Sequence, residues 1–278
     1  MLLTKIGLVD TTGAIDPRMM AVATAALNIQ VTRDLPQFWP VAATVCHLPD
    51  PKHIPQGVWP VFLVDRLPPG EGGFHQTHHG QPYAKVVVTP GNNEWTVDAS
   101  HEIIEMLVDP SGNRLQPSVA IGVDVNGQIR DMPGRFEYLV EACDPCEADA
   151  FTYQIDGISV SDFITPHFYD AMRTAGTRYS FTGAIIAPRD ILRGGYITWV
   201  NPEDQALQQI LWVDPNEPPQ LRDLGRPPHG ISLRVFVESR TRQLALGKRV
   251  ENATIAASRA ADRDRLAAAA QARAAEYL

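Results

Sequence analysis

Ser100-His101-Glu102-Ile103-Ile104-Glu105-Met106-Leu107-Val108-Asp109-Pro110 is the stretch on which the reading of this chain turns. Wound into a helix at about 100° per residue with His101 at zero, it places Glu105 near ~40°, Asp109 near ~80° and Glu102 near ~100°. Ile103, Leu107, Ile104 and Val108 fall on the opposite arc, between roughly 200° and 340°. One arc is wholly apolar and suits a core. The other gathers an imidazole and three carboxylates, which is a metal-site pattern. Pro110 stops the helix, and Asp109, the residue before it, is pushed out of helical geometry. Thr96 or Asp98 is expected to cap its start.

The spacing H-E-x-x-E is one residue away from H-E-x-x-H, in which two ligands at i and i+4 share a helix face and the Glu beside the first is the general base that activates a water. Here Glu105 stands where the second His would be, His101 keeps the first ligand position, and Glu102 keeps that of the base. A site with only His101 and Glu105 needs a third protein ligand. The acidic run Glu141-Ala142-Cys143-Asp144-Pro145-Cys146-Glu147 offers Glu141 or Asp144, and the choice between them stays open. Asp109 lies two turns from His101, about 12 Å along the axis, and is assigned to orienting or anchoring the helix. One His with two carboxylates leaves a divalent site near neutral, and oxygen-rich ligation admits Mn²⁺ or Ca²⁺ beside Zn²⁺.

The order S-H-E-x-x-E-x-x-x-D-P, then E-x-x-D over 141–144, then Val160-Ser161-Asp162-Phe163-Ile164-Thr165-Pro166, resembles a zincin-like, metallopeptidase-related family of bacterial, phage and fungal proteins. The resemblance covers roughly residues 5 to 200 and departs from true zincins at the second ligand. It implies an α+β zincin-like fold, with a twisted mixed sheet, two packed helices and a loop-rich lower half. It also implies a divalent metal, Zn²⁺ first, on His101, Glu105 and Glu141 or Asp144. Glu102 would be the base, with Tyr153, His167 and Tyr169 as candidates for stabilising an oxyanion, and the substrate would be a peptide or protein.

Around the motif, residues 6–10, 41–48, 58–67 and 83–88 read as strands, and 17–27 as a helix with Asp16 as cap and Pro17 in its first turn. Residues 68–82 read as a Pro/Gly-rich loop carrying His75, His78 and His79, either a metal site of their own or, for His75, a substrate-side group. Asn126-Gly127 and Asp156-Gly157 mark hairpins, residues 196–200 a strand, and 214–230 a proline-dense linker. Residues 237–278, alanine-rich and free of proline, read as a long helix, either a polar solvated one that frays or one that serves oligomerisation or docking. The expected organisation is an upper subdomain at 1–110, an irregular lower subdomain at 111–236 and this terminal helix.

Composition narrows the field. A chain of 278 residues, 44% hydrophobic and 20% charged, is globular. A net charge of −8 argues against nucleic-acid binding. No apolar run approaches a membrane span and the start has no signal-peptide pattern, so a cytoplasmic protein is expected, unless a dedicated machine or particle carries it out. Three cysteines, Cys46, Cys143 and Cys146, make no disulfide framework, and the C-x-x-C reads as structural thiols before a disulfide or a metal pair. The expected activity is metal-dependent hydrolysis by a zincin-type peptidase. The alternative is a catalytically inactive zincin-like scaffold acting as a binding or assembly protein in a particle or injection system. Glu102 favours the enzyme, because a purely structural metal site has no use for an uncoordinated Glu there. A two-carboxylate glycosidase lacks an aromatic subsite pattern.

Overall fold

The computed structural model describes residues 3–68, 72–213 and 216–241 of the chain. The architecture is mixed α+β, with two five-stranded sheets and a small hairpin. Sheet one holds β1 (Thr4–Asp10), β2 (Ala43–His47), β3 (Val58–Val64), β4 (Gly73–His78) and β5 (Gln81–Val87), in the order β2-β1-β3-β5-β4. The first four in that order run parallel, and β4 closes the edge antiparallel to β5.

Two helices belong with this sheet. Helix α1 (Pro17–Ile29) starts as its sequence dictates, with the Asp16 carboxylate accepting from the backbone N–H groups of Arg18 and Met19. It runs on into a π-helical turn, Gln30–Asp34. Helix α2 (Trp95–Val108) carries the motif. Its apolar arc is in the core as expected, with Ile103, Ile104, Leu107 and Val108 all buried. Each is worth roughly 1.5–3 kcal/mol of burial. The capping expectation fails: the helix begins at Trp95 with no side-chain cap, and the Thr96 hydroxyl instead donates to the carbonyls of Asn93 and Ser159. Asp109 is the C-cap, at φ −132° and ψ 78°, in agreement with the restriction that Pro110 imposes.

Strand register decides which side chains meet α2. Leu8 pairs with Val61, Val61 with Ala84, and Ala84 with His75. Leu63 pairs with Val86, and Val86 with Gly73. Directly paired residues share a face, so His75 and Gly73 lie on the apolar face that covers the helices. The segment expected to be a loop thus contains the edge strand β4, and β5 is one strand in from the edge. The signal was faint because Gly-Phe-His-Gln-Thr-His lacks the β-branched alternation of a strand and takes its conformation from pairing with β5.

The second half is more regular than its sequence suggests. Strands β6 (Leu115–Val123), β7 (Ile129–Leu139), β10 (Tyr196–Val200), β11 (Leu207–Leu211) and β12 (Gln220–Gly225) form an antiparallel sheet in the order β12-β11-β10-β7-β6. The hairpin at Asn126-Gly127 is far longer than predicted, and β12 falls inside the stretch read as a linker. Strands β8 (Tyr153–Ile155) and β9 (Ile158–Val160) form the second predicted hairpin around Asp156-Gly157. A further helix, α3, begins at residue 233, earlier than expected, and is described to 241. Phe236 and Val237 on it pack with Leu139, Leu207 and Leu224 against the second sheet. The predicted helix over 237–278 lies, past residue 241, outside the described residues.

Candidate metal centre

Helix α2 is buried on nearly every side, so its polar arc is buried with its apolar one. Buried polar groups need partners, and α2 divides them between two networks. One is structural. The Ser100 hydroxyl donates to Gln30 Oε1 at 2.8 Å and accepts from the Ser161 N–H at 2.9 Å. Gln30 Nε2 donates to the Ser161 carbonyl and to the Tyr153 hydroxyl, which in turn donates to Asp34 Oδ2. These bonds tie α1, α2 and the end of β9 together.

The other network is the candidate site. His101 Nε2 lies 3.3 Å from Glu105 Oε2 and 3.2 Å from Asp144 Oδ1. Neither oxygen has an aligned hydrogen bond, and both are buried. A tetrahedral cation with ligands at about 2.0–2.2 Å keeps its ligand atoms roughly 3.3–3.6 Å apart. Each oxygen therefore stands from the nitrogen near the spacing of shared ligation, and the three residues offer ligand atoms within 4.8 Å of one another, whereas a charge-assisted hydrogen bond would draw one pair to about 2.7–2.9 Å. Asp144 reaches this point because β7 ends at Leu139 and the chain turns through a 3₁₀ segment, Asp144–Cys146. The Cys143 N–H donates to Glu105 Oε1 at 3.1 Å, which fixes that turn to α2. Gly195 packs against it so closely that a Cβ would meet the Pro145 carbonyl oxygen at 2.5 Å.

Glu141, the other expected ligand, is held differently. Its Oε2 pairs with Arg234 Nη1 on α3. The same Nη1 lies 2.7 Å from Glu105 Oε2 and 3.1 Å from Asp144 Oδ2. Asp144 thus turns one oxygen to His101 and the other to Arg234. Nothing in the local sequence of Arg234 announced it. The available signal was indirect: several carboxylates converging in a core require a counter-ion, and Arg234 sits among the apolar residues Leu233, Phe236 and Val237. Gly112 makes room for it, since a Cβ there would come within 2.7 Å of Arg234 Cβ, and the Gly112 carbonyl accepts from the Arg234 N–H.

Electrostatics follow from this packing. Burial alone would hold His101 neutral, but Glu105, Cys143 and Asp144 outweigh it and raise the imidazole well above its usual value. Burial would raise Glu105, yet Arg234 and His101 hold its carboxyl well below the ordinary range. Glu141 goes the other way: burial, reinforced by Glu105 and Asp144, raises it well above the ordinary range despite Arg234.

Glu102 is next to this group rather than in it. Its Oε2 lies 3.1 Å from His75 Nδ1 and 3.9 Å from Arg234 Nη2. Gly73 faces it closely enough that a Cβ would stand 3.0 Å from its carboxylate. His75 Nδ1 is also 3.7 Å from Glu105 Oε2. Among the described residues, two groups could hold a cation: His101, Glu105 and Asp144, and His75, Glu102 and Glu105.

Other expected site residues are placed elsewhere. The Tyr153 hydroxyl is committed to Gln30 and Asp34. His167 is exposed on the 3₁₀ turn Pro166–Tyr169 and bonds Asp170. Tyr169 is buried, its phenol raised by burial and then by Glu141 and Glu105, so of the three it is the one within electrostatic range of the cluster. Asp109 anchors the loop after α2, accepting from the Arg114 N–H and the Ser111 hydroxyl. His78 and His79 meet edge to face at the exposed turn between β4 and β5. Cys143 and Cys146 are free, buried thiols that burial pushes well above the usual thiol value. No helix among the described residues is long and apolar enough to cross a membrane. No protein-family model, no curated protein and no solved structure matches the chain.

Proposed function

We propose that this protein is a metal-dependent hydrolase of zincin type that acts on peptides, with His101, Glu105 and Asp144 holding a divalent cation, Zn²⁺ first. The observation that carries this reading is the spacing of His101 Nε2, Glu105 Oε2 and Asp144 Oδ1, with the two oxygens buried and without aligned hydrogen bonds. A bound cation of this kind supplies a Lewis acid that polarises a carbonyl and eases deprotonation of water. Glu102, one residue along the helix from His101, accepts the proton of the attacking water and returns it to the leaving amine. Arg234 neutralises Glu105 at the same Oε2 that faces His101, and Asp144 at the oxygen turned away from His101. Glu141 anchors Arg234. The antiparallel edge strand beside the motif helix supports the zincin-like assignment of the sheet.

The test is turnover of a broad peptide library by metal-loaded protein. Glu102→Gln, nearly isosteric but unable to take the proton, is expected to abolish cleavage while the protein keeps its metal.

One observation favours the second reading, an inactive scaffold that binds or assembles with other proteins. Arg234 already meets three of the carboxylates, and the cluster lies almost wholly out of solvent. On that reading no peptide is cleaved, and truncation before residue 239 abolishes a self-association or partner interaction that the full chain shows.

A further inference from the structure

We propose that the cluster has a second divalent-cation site, on His75, Glu102 and Glu105, and that filling it inhibits the enzyme. This inference rests on the hydrolase reading above for its functional half and on geometry alone for its binding half.

The second group shares Glu105 with the first and is drawn from a different element. His75 comes from β4, and register directs it onto the face that covers α2. Its Nδ1 faces Glu102 Oε2 at 3.1 Å and Glu105 Oε2 at 3.7 Å, and all three residues are buried. The Glu102 contact is longer than the roughly 2.7–2.9 Å of a charge-assisted bond. Glu105 Oε2 is fully buried, stands near nitrogens of His75, His101 and Arg234, and has an aligned hydrogen bond from none of them. It is the one atom common to both groups. Arg234 Nη2, at 3.9 Å, is too far to bond Glu102, so the hydrogen-bond partner of its Oε2 is His75 Nδ1, the other ligand of the proposed site. Gly73 is the residue facing Glu102 from β4, and any side chain there would crowd the carboxylate.

One imidazole nitrogen with two carboxylate oxygens is a ligand set for Zn²⁺ or Mn²⁺. Ca²⁺ would require about six to eight oxygens. The first site fills first, because its ring nitrogen stands evenly from both oxygens, at 3.3 and 3.2 Å, against 3.1 and 3.7 Å in the second, and the second ion must then share the Glu105 charge with it. Once Glu102 ligates a cation, the lone pair that takes the proton of water is engaged. The chemical consequence is activation by the first equivalent of metal and inhibition by the second.

The experiment is titration of the chelator-stripped, full-length protein with Zn²⁺ alone, followed by calorimetry, with elemental analysis of the dialysed product. The wild type is expected to bind two ions in successive steps, and peptide turnover to rise with the first and fall with the second. His75→Ala is expected to bind one ion, and His75→Gln, which keeps a donor toward Glu102 but is a poor ligand, likewise one. The Gln variant serves as the reading if thermal unfolding shows the Ala variant misfolded. A wild type that binds one ion, or two ions in both variants, overturns the second site and leaves the hydrolase reading standing. A wild type that binds none overturns both.

Discussion

Glu105 Oε2 lies 3.3 Å from His101 Nε2 and 2.7 Å from Arg234 Nη1, so one buried oxygen faces both the motif's own histidine and a guanidinium from the far end of the described chain. Helix α2 supplies the first contact by its i, i+4 spacing. The second exists only because α3 docks over the turn after α2, through the Leu233 N–H to Asn113 Oδ1 and the Arg234 N–H to the Gly112 carbonyl. The carboxylate cluster is therefore held by a protein cation as well as by the motif's own histidine.

Replacing Arg234 tests this directly. Arg234→Met removes the counter-ion of three buried carboxylates, and breaking a buried ionic network from one side costs about 3–5 kcal/mol. For a domain of this size the melting temperature is expected to fall by roughly 10 °C. Added Zn²⁺ is expected to raise the melting temperature of the variant more than that of the wild type, because the ion replaces the lost positive charge. A variant as stable as wild type, with no larger response to Zn²⁺, contradicts the role.

Metal affinity and metal-free stability should depend on pH in opposite senses. In the metal-free protein His101 is raised above its unfolded value of about 6.5. Its ion pairs then stabilise the fold fully below that value, and the stabilisation is lost as pH rises through the raised one. Ligation needs the neutral ring, so a proton is released on binding. Zn²⁺ affinity is expected to weaken about tenfold per pH unit below the raised value. Calorimetry in buffers of different ionisation enthalpy would count the proton. An affinity that is flat across ~pH 6 to 8 would rule out His101 as a ligand.

Ser100 is predicted to matter for stability and not for chemistry. Ser100→Ala leaves Gln30 Oε1 and the Ser161 N–H buried without their partner. Each stranded group costs about 1–3 kcal/mol. Chemical denaturation should show that loss with an unchanged slope, and metal stoichiometry should stay the same. Loss of metal in this variant would place Ser100 in the site instead.

The turn that carries Asp144 depends on Gly195. Gly195→Ala puts a methyl carbon against the Pro145 carbonyl, which is backbone and cannot rotate away. Zn²⁺ affinity should fall by about 10- to 100-fold, the range for a disturbed ligand support, with a smaller fall in melting temperature. An unchanged affinity would mean that Asp144 is held by Cys143 and Arg234 alone.

How far the sequence could be read depended on whether the signal was local. The motif helix, the Asp16 cap and both hairpin turns are short-range patterns, and each was found within a few residues. His101 and Glu105 share a helix face by period alone. Asp144 could be proposed from chemistry, since two ligands need a third, but only the 3₁₀ turn and Gly195 distinguish it from Glu141. Strand β4 was missed because its pairing with β5, and not its own composition, makes it a strand. Of the second sheet, the hairpin at Asn126-Gly127 and the strand at 196–200 were legible, but β12 was missed for a related reason: it lies in a proline-dense stretch and is held by β11. Arg234 was unreadable because its partners Glu141 and Asp144 are 93 and 90 residues away, and it has no periodic relation to them.

The decisive measurement is elemental analysis of protein purified without chelator and dialysed against Zn²⁺, comparing the wild type with His101→Ala, Asp144→Ala and Glu141→Gln. At least one retained equivalent is predicted for the wild type and for Glu141→Gln, whose residue anchors Arg234. His101→Ala and Asp144→Ala should each retain at least one equivalent fewer than wild type. Equal metal content in wild type, His101→Ala and Asp144→Ala, or a wild type that retains none, would contradict a metal centre on these residues.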